Sequence, residues 1–290
     1  MGTPEPDSRA CNIIETVRAD TQSGAAQLAT RALTLVRQWL AAGGVSTDAL
    51  EQLLTDLAKA RPSMVPLANA IERVRQGLVG SQNGASTAEQ ALPVVDSVLE
   101  QIASANRRVA EFATTRVSEQ ARIFTHSRSS QVLALFRLLV QQGRNFSVIC
   151  TQSSPGNEGF TLARELDELG VRVTVITDAQ MGLFVPKADL VLCGCDTWLA
   201  DGHFLNKAGS YPLALLARAE AKPLWVLADS FKDSTAPHDE VTLEEMAANQ
   251  LGAPAGQHIT VRNLYFEPVP VQLISGRISE QGVFSFPAEP

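Results

Sequence analysis

Cysteine is scarce in this chain: four residues in 290, at positions 11, 150, 193 and 195, with no Cys-x-x-Cys pair. That is too few for a disulfide-stapled scaffold, and the spacing does not point to zinc. Lysine and arginine (24) are outnumbered by aspartate and glutamate (31), a net charge of −7. This balance argues against a surface that coats nucleic-acid backbones, while leaving room for a local basic pocket. No uncharged apolar run approaches the ~18–20 residues needed to span a bilayer. The opening residues, MGTPEPDSRACNII, lack the basic-then-apolar order of a secretory signal, and Pro6 stands where a myristoylation motif carries Ser or Thr. These absences lead us to expect a cytoplasmic protein with neither a membrane nor a directly bound nucleic acid as partner.

What is present is apolar: hydrophobic residues make up 45% of the chain and charged ones only 19%. Such a composition excludes a disordered chain and is ample for one large or two modest domains. The first 118 residues read as helices. Leu28, Ala29, Leu33, Leu35, Val36 and Leu40 form one stripe over 25–41, which closes at Gly43-Gly44. Ser46-Thr47-Asp48 opens a second helix to about residue 60, where Arg61-Pro62 breaks it. Further helices are expected over 67–79 and 87–116.

The texture changes near Ser118. Short β-rich runs at 146–151, 171–177, 189–195 and 223–228 alternate with helical stretches at 129–142, 158–169, 178–185 and 211–221. This alternation predicts βαβ units around a buried parallel sheet. We therefore expect an α/β protein: a helical N-terminal domain over 1–118 and a Rossmann-like parallel-sheet domain over 119–290. In such sheets ligands bind beyond the carboxyl ends of the strands.

Those ends carry polar clusters. The run at 146–151 leads into Gln152-Ser153-Ser154-Pro155-Gly156-Asn157-Glu158-Gly159, either an ordinary turn or an anion-facing loop. The third run leads into Cys193-Gly194-Cys195-Asp196 and then Asn206-Lys207-Ala208-Gly209-Ser210. Asp196 either caps a turn or supplies acid/base chemistry. Lys207 and the helix entrance at Gly209-Ser210 offer a point charge and oriented amides to a phosphate. The fourth run ends at Asp229-Ser230-Phe231-Lys232, a second lysine on the same sheet edge. Cys193 and Cys195 read as buried small hydrophobes. His126, His203, His238 and His258 show no metal-ligand spacing, and Ser127 beside His126 does not make a hydrolase pair. No metal and no cofactor are expected.

These segments resemble the α/β/δ-subunit family of translation initiation factor 2B, whose superfamily includes methylthioribose-1-phosphate isomerase and ribose-1,5-bisphosphate isomerase. The resemblance rests on an ordered set: Ser23-Gly24-Ala25, Arg61-Pro62-Ser63-Met64, Thr125-His126-Ser127, Thr151-Gln152-Ser153-Ser154-Pro155, Gly194-Cys195-Asp196, Asn206-Lys207-Ala208-Gly209-Ser210, Lys232, and Tyr265-Phe266-Glu267-Pro268-Val269-Pro270. It implies dimerisation, or a higher homo-oligomer, through the sheet domain. In the isomerase branch it implies a cysteine and an aspartate acting on a sugar 1-phosphate.

Asp196 falls on that aspartate, but Ser127 stands at the cysteine. Ser23 and Ser154 stand where two phosphate-holding arginines are usual. A serine hydroxyl cannot supply a thiolate near neutrality, and each lost guanidinium removes a charge-assisted contact of ~1.5–3 kcal/mol. Ser23, Gly24, Arg61, Ser154, Asn206, Lys207 and Lys232 are the expected ligand-binding residues, with Asp196 and Ser127 at the catalytic positions. The expected function is an initiation-factor-2B-like protein whose pocket binds a phosphorylated sugar or nucleotide without the standard isomerase chemistry. The alternative is an aldose–ketose isomerase of a ribose-1-phosphate-type substrate.

Overall fold

The computed structural model describes residues 8–20, 23–62, 64–79 and 86–286. Ser63, within the Arg-Pro-Ser segment, and the ends of the two expected domain ranges lie outside the described residues. The chain divides into two compact units, Met1–Ser104 and Ala105–Pro290.

The first unit is helical: α1 (Ser8–Arg18), α2 (Ala25–Ala41), α3 (Thr47–Ala58), α4 (Val65–Leu78) and the larger part of α5 (Thr87–Thr114). The expected stripe of α2 is buried at Leu28, Ala29, Leu33, Val36 and Leu40. Ser46 caps α3 by accepting from the Ala49 amide at 3.2 Å. Helix α1, absent from the expectations, buries only Ile13 and Val17, a stripe too thin to stand out in the sequence. The division between units falls inside α5, earlier than the expected 118/119 boundary. Val109, Ala110, Ala113 and Val117 belong to the core of the second unit.

That second unit is a three-layer α/β sandwich. Its elements run β1 (Ala121–Thr125), α6 (Ser130–Gln141), β2 (Phe146–Thr151), α7 (Glu158–Glu168), β3 (Arg172–Ile176), α8 (Met181–Phe184), β4 (Leu190–Cys193), β5 (Thr197–Trp198), β6 (His203–Lys207), α9 (Ser210–Ala219), β7 (Leu224–Leu227), β8 (Phe266–Pro270), β9 (Gly276–Ser279) and β10 (Gly282–Ser285). The main sheet has the order β10-β9-β7-β4-β1-β2-β3, parallel except for β10. Side chains alternate between its faces with the two-residue strand period. Ile123, Val148, Leu192 and Leu227 pack with α6 and α7. Phe124, Ile149, Val191 and Val226 pack with α8 and α9.

Several expectations are corrected. The run at 146–151 is not the first strand: β1 precedes it and lies inside the sheet between β4 and β2. The expected helix over 178–185 is broken into a 3-10 turn, the four-residue α8 and a second 3-10 turn, because Pro186 follows at once. Asn206 and Lys207 lie on a strand, β6, in a separate antiparallel sheet ordered β5-β6-β8. Residues 266–270 form β8, which pairs with β6, and two further strands follow it. Among the described residues, no helix is long and apolar enough to cross a membrane.

Candidate functional site

Five parallel strands deliver polar residues to their carboxyl ends: His126 and Ser127 after β1, Ser153 and Ser154 after β2, Asp178 after β3, Asp196 after β4, and Asp229 and Lys232 after β7. Asn206 and Lys207 come from β6. This is the edge where open α/β sheets place their ligands.

A directed chain of hydrogen bonds orders the centre. The Ser127 amide donates to Ser153 Oγ at 2.8 Å, and Ser153 Oγ lies 3.0 Å from Thr151 Oγ1. Thr151 Oγ1 lies 2.7 Å from His126 Nδ1, and His126 Nε2 lies 2.9 Å from the Ala208 carbonyl. A carbonyl can only accept, so Nε2 carries the proton and Nδ1 accepts from the Thr151 hydroxyl. Burial pushes the His126 pKa down, which keeps the ring neutral and both nitrogens engaged. His126 is thereby a strut rather than a free base. Gly209 fits against it at φ +109°, and a Cβ there would stand 2.7 Å from His126 Nε2. Ser127 itself sits at φ +64°.

The cations are not idle. Lys207, 4% exposed, donates to Glu158 Oε1 at 2.7 Å and lies 3.7 Å over the Tyr265 ring. Lys232 donates to Gln131 Oε1 at 2.8 Å, and Gln131 Nε2 donates to Asp229 Oδ2 at 2.6 Å. Asn206 donates to Ser210 Oγ at 2.8 Å. The Gly209-Ser210 helix entrance, expected to cradle a phosphate, is already filled by a carboxylate. Glu267 Oε1 accepts from the Gly209 amide at 2.6 Å and from the Tyr211 amide at 2.8 Å. The Ser154 amide likewise donates to Asp178 Oδ2 at 2.8 Å, and the Ser153 amide to Oδ1 at 2.9 Å.

Asp196 follows β4 and is partly exposed. Loss of hydration pushes its carboxyl up to about 6, against the opposing pull of Lys232 and Lys207. Cys150, Cys193 and Cys195 are buried, and burial pushes each thiol up to about 12. None of the three is a thiolate near neutrality.

Ser23, Gly24 and Arg61 belong to the first unit. Ser23 donates through its amide and hydroxyl to Asp20 at 2.9 and 2.8 Å, and Arg61 donates to the Asp20 carbonyl. Gly24 is the N-cap of α2, with no side-chain cap.

The arrangement and its order along the chain match one family model over residues 17–286, the initiation factor 2 subunit family. The chain belongs to that family. A translation initiation factor eIF-2B subunit 2-like protein of Pyrococcus abyssi is 35% identical over 237 residues, covering 81% of each chain. The ribose 1,5-bisphosphate isomerase of Archaeoglobus fulgidus is 31% identical over 234 residues, covering 78% of this chain and 73% of its own. The crystal structure of the Pyrococcus horikoshii initiation factor eIF-2B superposes with a TM-score of 0.83 at 30% identity, covering 97% of this chain and 98% of that one. The family thus joins initiation-factor-like proteins and a sugar-phosphate isomerase on one scaffold, as the resemblance implied.

Glu158, Asp178, Gln131 and Glu267, the partners that fix the site, were not among the sequence candidates. Acidic residues at helix starts are too common to signal a role by themselves. Arg277 was missed too, although it donates to the carbonyls of Ala228 and Asp229, both at 2.9 Å, and pins the loop that carries Lys232.

Proposed function

We propose that this protein is a non-isomerising member of its family, a subunit-like binding protein whose strand-end pocket takes a phosphorylated sugar or nucleotide. One observation supports the reading: the three cysteines of the second unit are held as neutral, buried thiols, and the resemblance puts Ser127 at the family's cysteine position. The proton shuttle of the isomerase branch therefore has no sulfur to use. Lys207, Lys232, Asn206 and Ser154, all of the second unit, are the ligand-facing residues of this reading. A cytoplasmic homodimer, or a higher homo-oligomer, built on the sheet unit belongs to the same proposal, and a monomeric mass by light scattering at micromolar concentration would remove it.

A second reading is favoured by Asp196, whose raised pKa suits an acid/base group near neutrality. It is an aldose–ketose isomerase of a ribose-1-phosphate-type substrate with a hydroxyl in place of the thiol. A thermal-shift screen of ribose phosphates and nucleoside monophosphates tests the shared pocket. A true ligand at 100 times its Kd stabilises by about 2.7 kcal/mol. If no compound raises Tm, the pocket assignment fails.

A further inference from the structure

We propose that Asp201, His203 and His238 bind a divalent transition ion of the zinc class, held between a hairpin turn and the loop that follows β7. One donor atom from each of the three lies within 4.8 Å of the others. Asp201 Oδ1 is 3.2 Å from His203 Nδ1, and Asp201 Oδ2 is 2.5 Å from His238 Nδ1. The two imidazole rings lie with centroids 4.0 Å apart and a tilt of 32°. None of these groups takes part in the hydrogen-bond chain or the lysine pairs described above.

The backbone holds the cluster in place by itself. Asp201 sits in the turn joining β5 to β6, closed by the Leu199 amide donating to the His203 carbonyl at 2.9 Å. Gly202, at φ +79°, makes that turn possible. His203 opens β6, opposite Pro270 of β8. His238 arrives from a distant segment that is stitched to the hairpin. The Ser234 amide donates to the Trp198 carbonyl at 2.8 Å, and the Ala200 amide to the Ala236 carbonyl at 3.2 Å. The His238 amide then donates to Asp201 Oδ2 at 2.9 Å.

The chemistry selects the ion. Two imidazole nitrogens and one carboxylate oxygen suit zinc and its neighbours, whereas magnesium and calcium prefer oxygen throughout. Ligands bonded at ~2.0–2.2 Å in a tetrahedron stand about 3.3–3.6 Å apart. The Asp201–His203 spacing already approaches this, and His238 needs to withdraw by about 1 Å. A histidine nitrogen and a carboxylate oxygen at hydrogen-bond distance share a proton, and the ion takes that proton's place. Side-chain exposures of 26%, 22% and 42% leave a way in, and water completes the coordination. The hairpin bears Asp196 just before it and Asn206-Lys207 on its second strand, while Lys232 precedes the stitched loop. An ion here therefore braces the frame of the pocket without entering it.

The test is equilibrium dialysis of tag-free protein against zinc chloride, read by metal analysis, together with melting curves with zinc and with a chelator. The expected result is one zinc per chain and a Tm raised by zinc and returned by the chelator. His203→Ala and His238→Ala should each weaken binding by at least about tenfold and remove the Tm shift. Cys11→Ser and His258→Ala should leave both unchanged. If His203→Ala does not fold, His238→Gln, at the more exposed position, gives the same reading. Zinc binding that survives loss of His238, binding lost in Cys11→Ser, no zinc retained at micromolar concentration, or equal binding of magnesium would each overturn the assignment.

Discussion

Glu158, the first residue of α7, and Lys207, the last of β6, meet in a 2.7 Å ion pair, while the second carboxylate oxygen of Glu158 is buried with no hydrogen-bond partner among the described residues. The pocket's lysine is thus satisfied from within. A phosphate bound as proposed would compete with Glu158 for Lys207, and would meet Glu267 already seated on the first amides of α9.

On the proposed reading, the Glu158–Lys207 pair sets the anion affinity. Glu158→Gln should strengthen binding of ribose 5-phosphate by roughly tenfold, ~1.4 kcal/mol, by freeing the lysine charge. Lys207→Ala should weaken it by at least about tenfold, and Lys59→Ala should not change it. Titration calorimetry decides. Unaltered affinity in both Glu158→Gln and Lys207→Ala would place the phosphate elsewhere.

Asp196 makes stability depend on pH in a defined direction. Its folded pKa of about 6 lies above the ordinary 3.8, so the fold binds this proton more tightly than the unfolded chain. Its contribution therefore falls as pH rises from about 4 to about 6 and stays low above that. Asp196→Asn should be more stable than the parent at pH 8, by about 1–3 kcal/mol, with the gap closing near pH 4. Urea unfolding at the two pH values measures this. A gap of the same size at both would contradict it.

Gly209→Ala tests the His126 strut. The added Cβ would press on Nε2 at 2.7 Å, and φ +109° strains any side chain. A loss of about 2 kcal/mol or more in unfolding free energy is expected. A loss below about 0.5 kcal/mol would mean the His126–Ala208 contact is looser than described.

On the resemblance, Ser127→Cys would restore the family's sulfur but not its two arginines, because Ser23 and Ser154 remain. Methylthioribose 1-phosphate turnover by this variant should stay far below that of an isomerase carrying all three groups. Full rescue by this one substitution, measured by product NMR, would show that the arginine positions do not matter.

Helices α2 to α5 were legible because their periodicity, caps and breakers all lie within a few residues of one another, whereas the thin apolar stripe of α1 did not show. Four strands of the sheet were legible for a related reason. Strands β2, β4 and β7, buried on both faces, read as apolar runs such as Val148-Ile149-Cys150, while β3, largely exposed at the sheet edge, shows through its β-branched residues. Strand β1 was not, since Ala121-Arg122-Ile123-Phe124-Thr125 is short and carries a charge. Strand β6 was not either: His203-Phe204-Leu205-Asn206-Lys207 looks polar, and only pairing with residues 266–270, far along the chain, makes it a strand. Ser127, Asp196 and Lys207, the residues proposed for the site, stand out in the sequence by order and spacing. The contacts around them could not be read there, because Glu158 meets Lys207, Asp178 the Ser153 and Ser154 amides, Gln131 Lys232, and Glu267 the Gly209 and Tyr211 amides only through the fold. The same holds for His238 and Asp201, 37 positions apart in sequence and 2.5 Å apart in space.

The most direct measurement of the central claim follows sugar phosphates by NMR in the presence of purified protein, at concentrations where thermal shift shows the pocket occupied. Methylthioribose 1-phosphate and ribose 1,5-bisphosphate are the substrates to use. The account predicts a Tm increase with the aldose signals unchanged over many hours. Steady conversion to the ketose by the wild-type chain, abolished by Asp196→Asn, would contradict it and establish the isomerase in its place.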